Sequence, residues 1–260
     1  MILARKLRTA ARVFRQLEHR EVWSLISKNA NAAVRTLPGG LVRLGTLAFR
    51  PSDEPTRELL LSGSYEAPER RAARRYIRGD VPVVELGASL GVVSCTVNRR
   101  LADRTRHVAV EANPSVLPIL KENRDRNGCR FEIVHGAAGA AGETVRFYIG
   151  SDALCSSALT ASGECVEVPC ISLQEILDPR GFERCALVSD IEGAEIALIR
   201  AEMPLLRARA EMLIVEFHPA INGVDEVADV QRLLVENGFV LSWRQADVFV
   251  FENSALRALV

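Results

Sequence analysis

Val83-Val84-Glu85-Leu86-Gly87-Ala88-Ser89-Leu90-Gly91 joins an apolar run of strand length to a glycine, with a second glycine four residues further on. It reads as strand, sharp turn and helix start, the unit from which parallel sheets are built. Gly87 lets the backbone turn tightly and lets a ligand approach closely, because it has no Cβ. Gly91 opens the next helix, whose free amides favour a polar or negative group. The spacing is Gly-x-x-x-Gly. Dinucleotide sites need a middle glycine against the pyrophosphate, and Ala88 and Ser89 stand there instead. Glu85 suits a cationic amino acid moiety better than a pyrophosphate.

Working outward, strands and helices alternate. Pro68 to Ile77 has the charge pattern of a surface helix. Strands are expected over 81–86, 107–110, 131–134, 186–189 and 212–217, and helices over 92–101, 114–126, 193–200 and 227–236. Residues 137–170 interrupt the rhythm with two strands, 144–149 and 166–170, joined by a small-residue loop, 150–163. Ser172-Leu173-Gln174-Glu175 fits a capping box. Residues 239–243 and 248–251 finish as a hairpin. Alternation of this kind implies parallel crossovers, hence an α/β, doubly wound and mostly parallel sheet that ends in an antiparallel hairpin. Ligands of such sheets bind beyond the carboxyl ends of the strands. Residues 41–50 read as one short strand and 51–64 as a polar connection followed by an apolar patch.

The chain has 260 residues, 48% of them apolar and 25% charged, which suits one large domain with an appendage. The formal net charge is zero, so nothing global points to nucleic acid. The charge is unevenly placed. Residues 1–40 carry eight Lys or Arg and two acids, a net +6, which leaves −6 over 41–260. Leu3, Leu7, Ala10, Phe14 and Leu17 recur at helical steps among those bases, the pattern resumes at Val22, Leu25 and Ile26, and Pro38-Gly39-Gly40 closes it. The expected organisation is a basic amphipathic helical arm, 1–40, on a domain spanning 41–260. Residues 1–37 suit three roles: packing on the domain, lying on an anionic membrane surface, or pairing two subunits. The six cysteines form no Cys-x-x-Cys pair, so no metal centre is assigned. Met1 to Arg20 lacks the apolar core of a secretory signal, and no run of 18 apolar residues exists; free thiols in a reducing cytoplasm are expected.

Three more strand ends carry polar groups. In Val110-Glu111-Ala112-Asn113 the acid falls 24 residues after Gly87, where a carboxylate can accept from both ribose hydroxyls. In Leu187-Val188-Ser189-Asp190-Ile191-Glu192-Gly193-Ala194-Glu195 three acids follow a strand. Glu192 and Glu195 also fit a helix dipole, but Asp190 ends an apolar strand and is not explained that way. In Ile214-Val215-Glu216-Phe217-His218-Pro219 an acid and an imidazole end the next strand. Asp190, Glu192, Glu216 and His218 can converge in the cleft as a general base or a weak metal site.

Tyr65-Glu66, Val84 to Gly91, Val110 to Asn113, Asp190 to Glu195 and Val215 to His218 occur in the order seen in FkbM-type methyltransferases, which the chain resembles over about residues 60–252. Asp190-Ile191-Glu192-Gly193-Ala194-Glu195 is the most specific part. The resemblance implies a Rossmann-like fold, S-adenosylmethionine as methyl donor, and O-methylation of a small-molecule or glycan hydroxyl. It implies that Glu85, Gly87, Ala88, Ser89, Gly91, Glu111, Ala112, Asn113, Gly136, Ala137 and Asp190 hold the donor. Asp190, His218, Glu192 and Glu216 serve the acceptor. Two departures stand out. The family often has a lysine near the fourth-strand acid, where Val188-Ser189 stands here, and an asparagine after the third strand, where His135-Gly136-Ala137 stands. Two other readings compete. A nucleotide-dependent dehydrogenase is disfavoured by the missing middle glycine, and a non-enzymatic cofactor-binding module would be recruited by the basic arm.

Overall fold

The structure, a computed structural model, describes residues 36–139, 142–149 and 164–257. The expected loop 150–163 and all of the expected arm before Thr36 lie outside the described residues. Of the arm's last five residues, Thr36 and Leu37 are extended and Pro38–Gly40 form the turn expected to close the helix. β1 (Thr36–Leu37) pairs with β2 (Leu41–Leu44) across a turn at Pro38–Gly40. The single strand expected over 41–50 is a hairpin, β2 and β3 (Leu47–Phe49), because Gly45 takes φ +62° and reverses the chain. Nor is 51–64 a connection. Asp53 caps a helix, α1 (Glu54–Ser62), by accepting from Thr56 N at 2.8 Å, while the Thr56 hydroxyl accepts from Asp53 N.

The main body follows with α2 (Ala67–Tyr76), β4 (Val83–Leu86), α3 (Val92–Asn98), β5 (His107–Glu111), α4 (Leu117–Arg126) and β6 (Glu132–His135). Next come the short strand β7 (Ala137–Ala138) and the antiparallel pair β8 (Thr144–Ile149) and β9 (Glu164–Ile171). Then come α5 (Leu173–Leu177), β10 (Cys185–Ser189), α6 (Glu195–Arg209) and β11 (Ala210–Glu216). The chain ends with α7 (Pro219–Asn222), α8 (Val224–Glu236), β12 (Phe239–Gln245), β13 (Val248–Asn253) and α9 (Ser254–Arg257). The expected capping box opens α5, with Ser172 accepting from Glu175 N at 3.2 Å.

Seven strands form the central sheet in the order β12-β13-β11-β10-β4-β5-β6. β11, β10, β4, β5 and β6 are mutually parallel, and β13 runs antiparallel to both β11 and β12. This is the expected doubly wound, Rossmann-like sheet with its closing hairpin. Period two along β4 assigns its faces. Val84 and Leu86 pack with Ile196, Ile199 and Leu234 from α6 and α8, while Val83 packs with Ala73, Val93 and Val97 from α2 and α3. Among the described residues no helix is long and apolar enough to cross a membrane, and Cys95, Cys129, Cys165, Cys170 and Cys185 are free thiols.

The N-terminal hairpin docks on α4 through two buried asparagines. Asn127 Oδ1 accepts from Ala48 N and its Nδ2 donates to Ala48 O, both at 2.9 Å. Asn123 Oδ1 accepts from Arg50 N at 2.6 Å and its Nδ2 donates to Arg50 O at 3.1 Å. The two amides complete the edge of β3 as a further strand would. Replacing Asn127 by Ala strips both partners from Ala48, and the expected loss is about 1–3 kcal/mol. Urea unfolding checks it; an unchanged midpoint would show that water replaces the amide without cost.

Candidate functional site

The sheet order reverses at β4: later strands are added on the β5 side first and then on the β10 side. Such a switch point opens a crevice at the carboxyl ends of the strands. A cavity of about 650 Å³ lies there. Gly87, Glu111, Asp190 and Glu216 from four strand ends line it, with Glu66 and Glu69 on one flank and Phe147 of β8 on the other.

The floor is held by a close backbone crossing. Gly87 has φ +83°, and a Cβ there would sit 1.7 Å from the carbonyl oxygen of Asp190. Asp190 N donates to Leu86 O at 3.0 Å, and the amides of Gly87 and Ala88 donate to Val110 O at 3.0 and 3.1 Å. The loop is therefore tied to both neighbouring strands. Gly87 is required by this crossing. Ser89 follows at φ +46°, its N donating to Glu111 Oε2 at 2.6 Å and its hydroxyl 2.9 Å from that of Tyr65. Glu111 Oε1 accepts from Asn113 N at 2.7 Å. Burial pushes the Glu111 carboxyl up, opposed by backbone amides of Asn113, Ser89 and Ala112. Each carboxylate oxygen keeps accepting capacity beyond these bonds. Among the described residues, four non-glycines have positive φ, and Glu66, Ser89 and Glu192 of those four line this cleft. Left-handed backbone costs such residues about 1–2 kcal/mol each, and strain of this kind clusters at functional sites.

Of the donor-side residues expected from sequence, Gly87, Ser89, Glu111 to Asn113, Gly136 and Ala137 line the cleft, whereas Glu85, Ala88 and Gly91 do not. Glu85 shares the sheet face of Val83, beneath the floor, and is 1% exposed. Its Oε2 lies 3.0 Å from His107 Nε2. The Asn98 amide nitrogen, 3.4 Å from His107 Nδ1, can only donate, so Nε2 carries the proton toward Glu85. Glu85 thus satisfies an interior histidine. Ala88 is buried in the cluster around Leu90. Gly91, at φ +79°, answers to packing: a Cβ there would meet Leu120 Cδ1 at 2.6 Å.

The acceptor-side residues do converge. His218 Nε2 lies 3.5 Å from both Asp190 Oδ1 and Glu192 Oε2. Its Nδ1 lies 3.3 Å from Oε1 of Glu195, which is wholly buried. Burial, then the Glu192 charge, push Asp190 up to about 8. Burial pulls His218 down, but the Glu195 contact and the charges of Glu195, Asp190 and Glu192 outweigh it and raise it to about 9. Burial, then the charge of Asp190 and the nearby Glu69 carboxyl, push Glu216 up to about 10. Burial, then Asp190 and Glu69, also hold Glu66 well above the usual carboxylate range.

Three of these acids were not read as site residues. Glu66 and Glu69 stand at the start of a helix that reads as charged surface, yet they line the cleft and Glu69 is buried. The dipole reading of Glu195 is incomplete: it also accepts from Ile191 N at 2.7 Å. The available signal was spacing, since Glu66 and Glu69 lie one turn apart after Tyr65.

Among the described lining residues there are seven acids and no Lys or Arg. Glu66 Oε2, Glu69 Oε2 and Asp190 Oδ1 are buried without a hydrogen-bond partner. Buried acceptors left unmatched are costly, so this cleft suits a ligand bearing positive charge.

The family model described as "Methyltransferase FkbM domain" matches residues 85–241. No curated protein matches the chain in sequence. Among solved structures, the chain is similar to a protein in the NADB-Rossmann superfamily from Streptococcus agalactiae, at 9% identity and TM-score 0.44 over 71% of this chain and 67% of that one. It is similar to fibrillarin of Aeropyrum pernix, solved with natively bound S-adenosyl-L-methionine, at 12% identity and TM-score 0.44 over 71% and 75%. A third is precorrin-6y C5,15-methyltransferase of Geobacter metallireducens, at 12% identity and TM-score 0.43 over 71% and 87%.

Two glycine variants separate floor from packing. Gly87→Ala must part the ends of β4 and β10, and a loss above about 3 kcal/mol is expected, whereas Gly91→Ala displaces one side-chain tip at about 1–2 kcal/mol. Chemical denaturation of both ranks them; equal losses would remove the special status of the Gly87 crossing.

Proposed function

This chain belongs to the methyltransferase FkbM family, and on that premise we propose that it methylates a hydroxyl of a sugar, glycan or natural product. S-adenosylmethionine is the methyl donor. When bound, it supplies a methyl group that is already electrophilic. The protein's task is to align the acceptor and take its proton. The observation that carries the reading is the meeting of Asp190, Glu192 and His218 beside the Gly87 loop.

Glu111 is placed to accept from both ribose hydroxyls while Ser89 and Asn113 hold its orientation. Gly136 and Ala137 offer backbone groups and little side-chain bulk to an adenine ring. Glu66 offers an unmatched carboxylate oxygen to the donor's cationic end. The Asp190 carboxylate or the His218 imidazole orients the acceptor hydroxyl and removes its proton, with Glu192 and Glu216 in support. Alignment contributes most of the acceleration, and a positioned base adds about 10²–10⁴-fold. We also propose a cytoplasmic protein whose basic residues 1–37 contact a membrane surface or a second subunit.

The two halves of the proposal are tested apart. Glu111→Ala and Glu111→Gln are expected to weaken S-adenosylhomocysteine binding by calorimetry about 10- to 100-fold, the value of one or two hydrogen bonds to a charged acceptor. Absence of binding heat on folded wild-type protein would refute the donor assignment. Asp190→Asn is expected to lower single-turnover methyl transfer at saturating donor about 10²–10⁴-fold. A wild-type rate would remove Asp190 from the chemistry.

A further inference from the structure

We propose that Asp190 Oδ1, Glu192 Oε2 and His218 Nε2 form a binding site for one divalent cation on the acceptor side of the cleft. One ligand atom from each residue lies within 4.8 Å of the others, and His218 Nε2 is 3.5 Å from each of the two oxygens. Ligand atoms about 2.1 Å from a metal at tetrahedral angles stand about 3.4 Å apart, so a cation fits between them with little movement. The nitrogen–oxygen distances are also long for direct hydrogen bonds.

Orientation supports the site. A metal-bound histidine holds its second nitrogen against a carboxylate or carbonyl, which fixes the ring and aims the free lone pair. Glu195 Oε1 stands on that side, 3.3 Å from Nδ1, as a charge contact without hydrogen-bond geometry. Glu195 is itself fixed by the Ile191 amide, on the loop that carries Asp190 and Glu192. Nδ1 thus faces a carboxylate and Nε2 faces the two oxygens.

An independent feature points to an unmatched positive charge. Glu69 is 4% exposed, lines the same cleft, and has an Oε2 with no partner. Asp190 Oδ1, itself one of the three ligand atoms, is likewise buried without a hydrogen bond, with His218 Nε2 at 3.5 Å. Nitrogen with two carboxylates suits Mn²⁺, Fe²⁺ or Zn²⁺ better than Mg²⁺, which prefers oxygen and its own waters. Three protein ligands leave coordination positions open toward the cavity. A cation there would hold an acceptor oxygen and lower the pKa of its proton, so that with the cation bound Asp190 and His218 act as ligands and not as the base. The inference concerns cation binding and stands apart from the choice of acceptor.

The test is Mn²⁺ titration of the full chain by calorimetry and electron paramagnetic resonance, with Zn²⁺ and Mg²⁺ in competition. One Mn²⁺ or Zn²⁺ per chain is expected to bind below about 1 mM. His218→Ala and Glu192→Gln are each expected to weaken it at least tenfold, and Glu195→Gln about 10- to 100-fold. Glu132→Gln, whose carboxylate pairs with Arg180 at the surface, is expected to leave it unchanged. Glu192 is partly exposed, so its variant keeps the test open if the His218 variant fails to fold. No saturable binding to folded wild-type protein, or binding that persists in Glu192→Gln, overturns the proposal. S-adenosylhomocysteine titration of the same samples reports the donor site separately, so failure of one reading is not mistaken for failure of the other.

Discussion

The cleft depends on the contact between the α-carbon of Gly87 and the backbone carbonyl of Asp190. Adjacent parallel strands hydrogen-bond evenly along their length, and where β4 and β10 end the chain must leave in two directions. Here the departures cross so closely that a methyl group has no room. The Leu86 carbonyl takes the amide of Asp190, and the Val110 carbonyl takes those of Gly87 and Ala88. Three strand ends become one rigid floor, and the side chains that leave it, Glu111 and Asp190, are aimed by backbone alone. Sites built on such elements hold their geometry better than sites on free loops.

That floor carries an electrostatic imbalance. Asp190, Glu192, Glu195 and Glu216 approach one another with His218 as the cationic partner at their centre. A fold selected for stability alone would pair or remove such acids, because a buried charge without a partner costs several kcal/mol. The neighbouring Arg70 donates to the carbonyls of Tyr65, Glu66 and Gly63, and its charge eases the burial of Glu66 only in part. The imbalance is therefore a statement about what the cleft receives.

Legibility in the sequence follows the range of the interactions. Apolar runs and turn residues are local signals, so the parallel strands, the closing hairpin and the cap at Ser172 could be read directly. Gly45 splits an apolar stretch that looks continuous, and the cap at Asp53 is completed by Thr56, where the usual pattern calls for Glu or Gln. The roles of Glu85 and Gly91 depend on partners distant in the chain, His107 and Leu120. A strand-end acid looks the same in sequence whether it faces a ligand or a neighbouring histidine; only the pleat decides. Glu69 reads as surface because its helix is rich in arginine, and its burial comes from packing against β11 and β13.

Asn123 has one more bond than its docking role requires. Beyond the two that close the edge of β3, its Nδ2 donates to the carbonyl of Leu90 at 2.9 Å, inside the loop that follows Gly87. One side chain thus spans the N-terminal hairpin and the glycine loop, with α4 as the rigid beam between them. The chain enters that hairpin at Thr36, directly after the basic segment. Asn123, Asn127 and the Arg50–Glu122 pair together tie that hairpin to α4, and Asn123 alone of these also reaches the loop after Gly87, so the hairpin and the glycine loop share one buried anchor.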